Sequence, residues 1–450
     1  MSRTLVLRLW LVLCSLSVGV PQVGAAGDSM VRVEAGKFTL HGREYRFVGA
    51  NFWYAAILAS EGQGGDRPRL ERELDRLQAL GVRNLRVLAG GDGPEGDPAR
   101  IRPVLQQAPG VYNDTILRGL DYLLHTLERR GMQVVLYLNN AWNWSGGYAS
   151  YLHWAGVEQG RTDDLTGAGE LSRGDEWTQY QRHHSQFLRN DSARALALRH
   201  TRHLVSRVSS LTGRPYSQSP AIMAWEVANE PRAFARDSLT KACFLDYIRE
   251  QAVLIKSLDP NHLVTTGSEG KYGCEVDLDL FRRIHALPQV DYLCIHVWPY
   301  NWAWLGRYLP DTPQAIAANG PASTQTHLEQ AIRNTARYVR EHAAVARELQ
   351  KPMVLEEFGY PRDGYALSPA SGTTARDTYY RSVFALLRQE PTLAGCNFWG
   401  WGGEAVAPTP RWHPGQPYTA DPAQEEQGLN SVFLTDTTTL EAIREGASGL

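Results

Sequence analysis

One unit recurs along this chain and limits the folds open to it: a short apolar strand, a loop, then an amphipathic helix stopping near glycine or proline. Strand-like runs fall at 46–52, 82–88, 133–139, 222–228, 263–267, 292–297, 353–358 and 395–399. Helical periodicity follows at 69–80, 115–130, 192–211, 239–258 and 324–349, with Gly81, Gly131, Gly213, Asp259-Pro260 and Lys351-Pro352 at the ends. Parallel strands covered on both faces read as unbroken apolar runs. Eight of them alternating with helices specify an α/β fold, a (β/α)8 TIM barrel, with a doubly wound open sheet as the rival. Ahead of the repeat, 31–47 alternates apolar and polar residues around Gly36 and Gly42, the pattern of a β-hairpin cap at the barrel bottom. The loops after strands three and eight, 140–190 and 400–436, are far longer than such connections require. In a barrel both lie on the catalytic face.

The first 26 residues follow another pattern. Arg3 and Arg8 flank and interrupt an apolar stretch running to Val20, and Gly24, Ala25 and Ala26 follow it. A charged start, a short apolar centre and a small-residue end form a secretory signal peptide. That leaves 27–450 as one catalytic domain and implies a secreted protein, extracellular or periplasmic. The apolar run falls short of the roughly 20 residues of a membrane span, so no membrane association is expected after cleavage. A formal net charge of −2, more negative once Arg3 and Arg8 are removed, offers no basic footprint for nucleic acid. A monomer is the expected state. Cys14 lies in the leader, and Cys243, Cys274, Cys294 and Cys396 form no C-x-x-C pair. Secretion permits a disulfide between Cys243 and Cys274 without requiring one. No constellation calls for a metal or a cofactor.

Two acidic motifs carry the chemistry. Trp225-Glu226-Val227-Ala228-Asn229-Glu230-Pro231 ends the fourth strand, and Leu355-Glu356-Glu357-Phe358-Gly359 ends the seventh. A buried strand ends on polar residues where they face the mouth of the barrel. Alternation places Glu226, Ala228 and Glu230 on one side, and a break before Pro231 brings Asn229 to the pocket as well. Glu226 reads as a paired carboxylate deeper in the barrel. Glu230 and Glu357, far apart in sequence, meet only if the sheet closes. Carboxyls about 5–5.5 Å apart are the equipment of retaining glycoside hydrolysis, one as nucleophile and one as acid and then base. The chain has 13 Trp and 20 Tyr, and many fall in the long loops, where flat rings suit sugar faces.

Asn229-Glu230-Pro231 with Glu357-Phe358-Gly359 resembles the signature of glycoside hydrolase family 5. The resemblance spans essentially the whole chain after the leader, with its motifs in the right order. It implies Glu230 as acid/base and Glu357 as nucleophile, with Trp53, Arg86, Asn140, Asn229, His296, Trp298 and Trp399 as the active-site shell. Two positions depart from the usual pattern: Asn140 stands where many relatives carry histidine, and Trp298 where many carry tyrosine. An indole N–H donates from a different position than a phenol hydroxyl, which puts the contact to the nucleophile in question. The run His296-Val297-Trp298-Pro299-Tyr300-Asn301-Trp302-Ala303-Trp304 is similar to a bacterial β-mannanase branch, as are Leu138-Asn139-Asn140-Ala141-Trp142, Gly146-Gly147-Tyr148 and Gly267-Ser268-Glu269-Gly270. That branch implies Trp142, Arg232, Glu269 and Trp302 as substrate contacts, a polysaccharide partner, and retaining endo-hydrolysis of β-1,4-mannosidic linkages in mannan, glucomannan and galactomannan. A cleft with several subsites, rather than a blind pocket, is then expected along the third-strand loop, Trp302 and Trp304.

The alternatives are a cellulase or other family 5 β-glucan hydrolase, and a carbohydrate-binding barrel without catalysis. Gly267-Ser268-Glu269-Gly270 lacks the spacing of a nucleophile elbow, and Gly90-Gly91-Asp92-Gly93 lacks the Gly-Lys-Ser/Thr of a phosphate loop.

Overall fold

The eight expected strands all form in the computed structural model, which describes residues 29–94, 100–158, 174–302, 304–305 and 320–450. They are β1 (Phe47–Asn51), β2 (Asn84–Leu88), β3 (Gln133–Tyr137), β4 (Ile222–Glu226), β5 (Leu263–Thr265), β6 (Leu293–Val297), β7 (Met353–Phe358) and β8 (Leu393–Phe398). Adjacent strands pair in parallel in the order β5-β4-β3-β2-β1-β8-β7-β6. The Asp291 N–H donates to the Val264 carbonyl at 2.8 Å and draws β6 against β5, where the ring closes. Every strand residue is buried, which accounts for the unbroken apolar runs.

The outer layer is α1 (Arg67–Ala79), α2 (Asp114–Arg130), α3 (Asp191–Val205), α4 (Ser238–Leu258), α5 (Leu278–His285), α6 (Gly320–Leu349), α7 (Thr374–Gln389) and α8 (Thr437–Ala447). Asp66, Asn113, Asn190, Asp237 and Asp277 each accept a first-turn N–H of the helix they precede. Such a cap stabilises by about 0.5–2 kcal/mol. Gly131, at φ +62°, ends α2 in the left-handed conformation that favours glycine. The third helix stops at Val205 rather than near residue 211. Buried Asp121 takes over the following segment: it accepts from Arg207 at 2.9 and 2.6 Å, from the Ser210 N–H at 2.9 Å and from the Tyr216 hydroxyl at 2.6 Å. Those bonds compete with helical ones and win.

The N-terminal cap has three antiparallel strands, Arg32–Glu34, Lys37–Leu40 and Arg43–Glu44, rather than the two of a hairpin. Its Phe38 is fully buried, edge-on to Tyr292 at 5.2 Å, and packs with Met223, Leu263 and Val354 under the barrel. Cys243, Cys274, Cys294 and Cys396 are all free thiols. The leader, 1–26, lies outside the described residues. No described helix is long and apolar enough to cross a membrane.

Both long loops are built. The loop after β3 contains helices Gly147–Trp154 and Gly174–His184. The loop after β8 is pinned by buried Asp421, which accepts the backbone N–H groups of Gly428, Asn430 and Ser431 at 2.8, 3.1 and 3.2 Å. Its base is clamped by Arg362, bidentate on Asp436 at 2.8 and 2.7 Å, and by Arg376 on the carbonyls of Leu429 and Ser431. Residues 422–425 are thereby held over the mouth of the barrel.

Candidate active site

The site starts from a polar layer inside the barrel. Arg86, at 0% exposure, projects from β2 and lies 4.4 Å over the Tyr137 ring. Its Nε and Nη2 grip Glu226 at 2.8 and 2.5 Å. Nη2 also reaches Asn229 Oδ1 at 2.8 Å, and Nη1 donates to Asn51 Oδ1 at 3.1 Å and to Glu357 Oε1. A buried cation is tolerated only when so fully paired and hydrogen-bonded. Glu226 is the deep, paired carboxylate, and Glu357 lies above it.

Strand β4 stops at Glu226, and the chain then turns so that Asn229 and Glu230 both line the mouth. Glu230 sits at φ +47°, a left-handed conformation uncommon for a side-chain-bearing residue and concentrated at functional sites. Gly267 at the end of β5 permits the turn, because a Cβ there would stand 1.9 Å from the Ala228 carbonyl oxygen. Asn229 Nδ2 donates to Asn140 at 3.2 Å, and Asn140 in turn donates to Ser145 at 2.9 Å. Asn140 and Arg86 therefore lie behind the lining and orient Asn229.

The two carboxylates converge on His296. Its Nδ1 is 2.8 Å from Glu230 Oε1 and 3.5 Å from Glu357 Oε2, and carboxylate oxygens of the pair lie within 4.8 Å of each other. Trp142 Nε1 donates to Glu230 Oε2 at 2.5 Å, and Trp298 Nε1 donates to Glu357 Oε2 at 2.9 Å. The indole at position 298 thus makes the contact a tyrosine hydroxyl would make. Gly359 leaves the space, since a Cβ there would meet the Trp298 ring at 2.5 Å. Glu230, His296 and Glu357 are close enough to converge on a cation, but their donor atoms are already engaged with one another and with Arg86, Trp142 and Trp298.

Burial pushes both Glu230 and Glu357 above the usual carboxylate range. His296 and Arg86 pull Glu357 down, and Trp142 and Arg232 do the same for Glu230. Glu357 accepts the Arg86 ion pair directly and Glu230 does not, which favours negative charge on Glu357 over Glu230. Burial thus outweighs the lowering by Arg86 that the sequence implied for Glu357.

Around them lies an open cavity with about 640 Å³ of space, part of it continuous with solvent. Trp142, Trp144 and Trp177 wall it from the β3 loop, Asn301 and Trp302 from the β6 loop, and Pro422, Gln424 and Glu425 from the β8 loop. Trp298 and Trp399 form its floor, and the Trp399 indole N–H is buried without a partner among the described residues, free for a substrate oxygen. Trp304 does not line the cavity but packs on Trp302 at 5.1 Å. Trp53 is also behind the wall, edge-on to Trp144 at 5.9 Å with its N–H on the Ala420 carbonyl at 2.7 Å. That bond ties the β8 loop to β1, so Trp53 buttresses the site instead of lining it.

Arg232 and Glu269 reach the cavity and also pair with each other, Nε to Oε2 at 3.3 Å, with Glu275 at 3.9 Å. Burial pushes the Glu269 carboxyl up to about 8 despite Arg232. A carboxyl raised on folding favours the folded state fully below its unfolded pKa and loses that contribution as pH rises through the folded value. The window for Glu269 is therefore about pH 4.5 to 8. Melting temperatures should fall between pH 5 and pH 9, and Glu269→Gln should narrow the gap; an unchanged gap would exclude Glu269 as a contributor.

Asn301, Pro422, Gln424 and Glu425 were not identified from sequence. Half-buried Glu425 is a fourth carboxylate lining the cavity, after Glu230, Glu269 and Glu357, held well above the usual range by burial and by Asp421, Glu357 and Glu230. The one sequence signal for it was the length of its loop.

A family model for family 5 β-mannosidase-like glycoside hydrolases matches residues 28–450. A putative mannan endo-1,4-β-mannosidase 9 of Oryza sativa subsp. japonica is 29% identical over 389 residues, 83% of this chain and 82% of its own length. Mannan endo-1,4-β-mannosidase 5 of Solanum lycopersicum is 27% identical, over 86% and 84% of the two chains. Among solved structures, a family 5 mannosidase from Rhizomucor miehei superposes with a TM-score of 0.79 at 30% identity, over 94% of this chain and 98% of that one. An endo-β-1,4-mannanase from Thermotoga petrophila shares the fold, with a TM-score of 0.64 at 23% identity over 90% and 77%.

Proposed function

This chain belongs to the β-mannosidase-like group of glycoside hydrolase family 5, and from that premise we propose that it hydrolyses β-1,4-mannosidic linkages of mannan-type polysaccharides with retention. The observation that carries the mechanism is the pair of buried carboxylates within 4.8 Å, too close to admit the water of an inverting enzyme between them. Glu357, ionised against Arg86 and the Trp298 N–H, attacks the anomeric carbon as the bond to the leaving oxygen breaks. Glu230 gives its proton to that oxygen. The glycosyl ester removes the charge on Glu357, and Glu230, now a carboxylate, takes a proton from water as it opens the ester. Asn229, oriented by Arg86 and Asn140, is placed for a sugar hydroxyl. The partner is the polysaccharide; cellulose is the competing substrate.

One observation favours a second reading of the mode of attack. The β8 loop brings Pro422, Gln424 and Glu425 into the cavity wall and is held there by Asp421, Arg362 and Arg376. A fixed wall at one end of a cleft admits a chain end and stops a chain from passing through. Incubation with mannan, glucomannan and carboxymethyl-cellulose tests both points. Reducing sugar is expected from the mannans; preference for cellulose would overturn the substrate assignment. Endo-attack collapses viscosity early with mixed oligosaccharides, whereas mannose release at constant viscosity would establish the second reading.

The proposal includes secretion and a monomeric state. Arg3, Arg8 and the apolar stretch to Val20 support export, and the mature protein's N-terminus, read by mass spectrometry, tests it.

A further inference from the structure

Four carboxyls are buried in the barrel interior: Glu226, Glu230, Glu356 and Glu357, each at 8% exposure or less. Three have roles above; Glu356 does not. Strict alternation along β7 would turn it away from the barrel interior, since its neighbour Glu357 faces the mouth. A β-bulge changes that. Ile295 pairs with Leu355 but His296 pairs with Glu357, so Glu356 is the extra residue, and the register to β8 shifts at the same place. Glu356 is thereby turned inward beneath the site. Its Oε1 accepts the Tyr292 hydroxyl at 3.0 Å. Its Oε2 faces His296 Nε2 across 3.9 Å, and both atoms are buried without a hydrogen-bond partner among the described residues. The gap is too wide for a direct bond, and a modest rotation or one bridging water closes it.

We propose that Glu356 is a positioning residue that donates a proton-bearing oxygen to His296 Nε2, fixing the imidazole in the tautomer whose Nδ1–H points at Glu230 and Glu357. The inference rests on those two residues being the catalytic pair. The need for that tautomer follows from geometry. Trp142 already donates to one oxygen of Glu230 and His296 Nδ1 touches the other. A bare Nδ1 would accept the acidic proton of Glu230 and hold it away from the leaving oxygen. An Nδ1–H leaves that proton facing the cavity. It can also follow the negative charge from Glu357 to Glu230 during glycosylation, because Nδ1 lies near both. Glu356 faces Glu226 from β4, Cys294 and His296 from β6 and the Tyr292 hydroxyl; Glu226 favours a protonated carboxyl, while His296 and Arg86 pull the other way, with Arg86 already committed to Glu226 and Glu357. Burial and Glu226 push the Glu356 carboxyl up in the same sense.

Replacing Glu356 by glutamine keeps a donor and removes the acid; replacing it by leucine removes both. Glu356→Gln should keep kcat on manno-oligosaccharides within about threefold, while Glu356→Leu should lose roughly 100-fold, within the range of a general acid. With an aryl mannoside whose leaving group needs no proton, the Glu356→Leu loss in the glycosylation step should nearly vanish. Equal damage from both substitutions would mean that the ionised carboxylate matters, and would overturn the proposal, as would an undamaged Glu356→Leu. ¹⁵N spectra of His296 in the wild-type protein read the tautomer directly, without activity, and stand even if the substrate assignment fails. A protonated Nε2 with bare Nδ1 overturns the inference.

Discussion

Glu357→Ala abolishes turnover of mannosides, by at least the roughly 10,000-fold at the top of what one positioned acid–base group contributes, because the group that forms the covalent intermediate is gone. The fold survives. Arg86 keeps both oxygens of Glu226 and its bond to Asn229, and one buried carboxylate fewer lightens the charge on the barrel interior. Azide, small enough to enter the space vacated beside Trp298, should restore measurable turnover of an activated aryl mannoside and yield the product of inverted configuration. Turnover kept in Glu357→Ala and lost in Glu356→Ala would move the nucleophile one residue back. That outcome would also conflict with the bulge, which places Glu356 beneath the site.

Glu230→Ala should slow manno-oligosaccharide cleavage by roughly 100- to 10,000-fold. An aryl mannoside with a good leaving group should still form the glycosyl-enzyme quickly and then stall, because no base remains to activate water. Pre-steady-state kinetics would show that as a burst. Equal slowing of glycosylation for both substrates would remove Glu230 from the acid role. The substitution also leaves the Trp142 indole N–H without its acceptor and His296 Nδ1 without its partner. A melting temperature measured alongside separates that structural cost from the chemical one.

The barrel was legible because its determinants are local. An apolar run buried on both faces, followed by an amphipathic helix that stops near glycine or proline, encodes strand, turn and helix within one short stretch of chain. All eight strands could be placed that way, as could the two acidic motifs at the ends of β4 and β7. Where the reading failed, a distant partner had intervened. The third helix ends at Val205 because Asp121 of α2 binds Arg207 and Ser210. Trp53 was expected at the cavity and lies behind it, because its N–H is taken by the Ala420 carbonyl of the β8 loop.

By itself, then, the sequence determined the kind of fold and the identity of the two carboxylates, since periodicity and short motifs are properties of neighbouring residues. Only the tertiary structure decided how those carboxylates are tuned. Arg86 neutralises Glu357 rather than Glu230 because its Nε and Nη2 are held on Glu226 while Nη1 reaches Glu357, and Trp298 replaces a tyrosine hydroxyl because Gly359 leaves room for its ring. A one-residue bulge turned Glu356 inward against alternation. Pro422, Gln424 and Glu425 became part of the wall because Asp421 accepts backbone N–H groups of the loop while Arg362 and Arg376 donate to partners in and around it. Each outcome depends on contacts between residues remote in the chain, and no local pattern encodes which remote partner a side chain will meet.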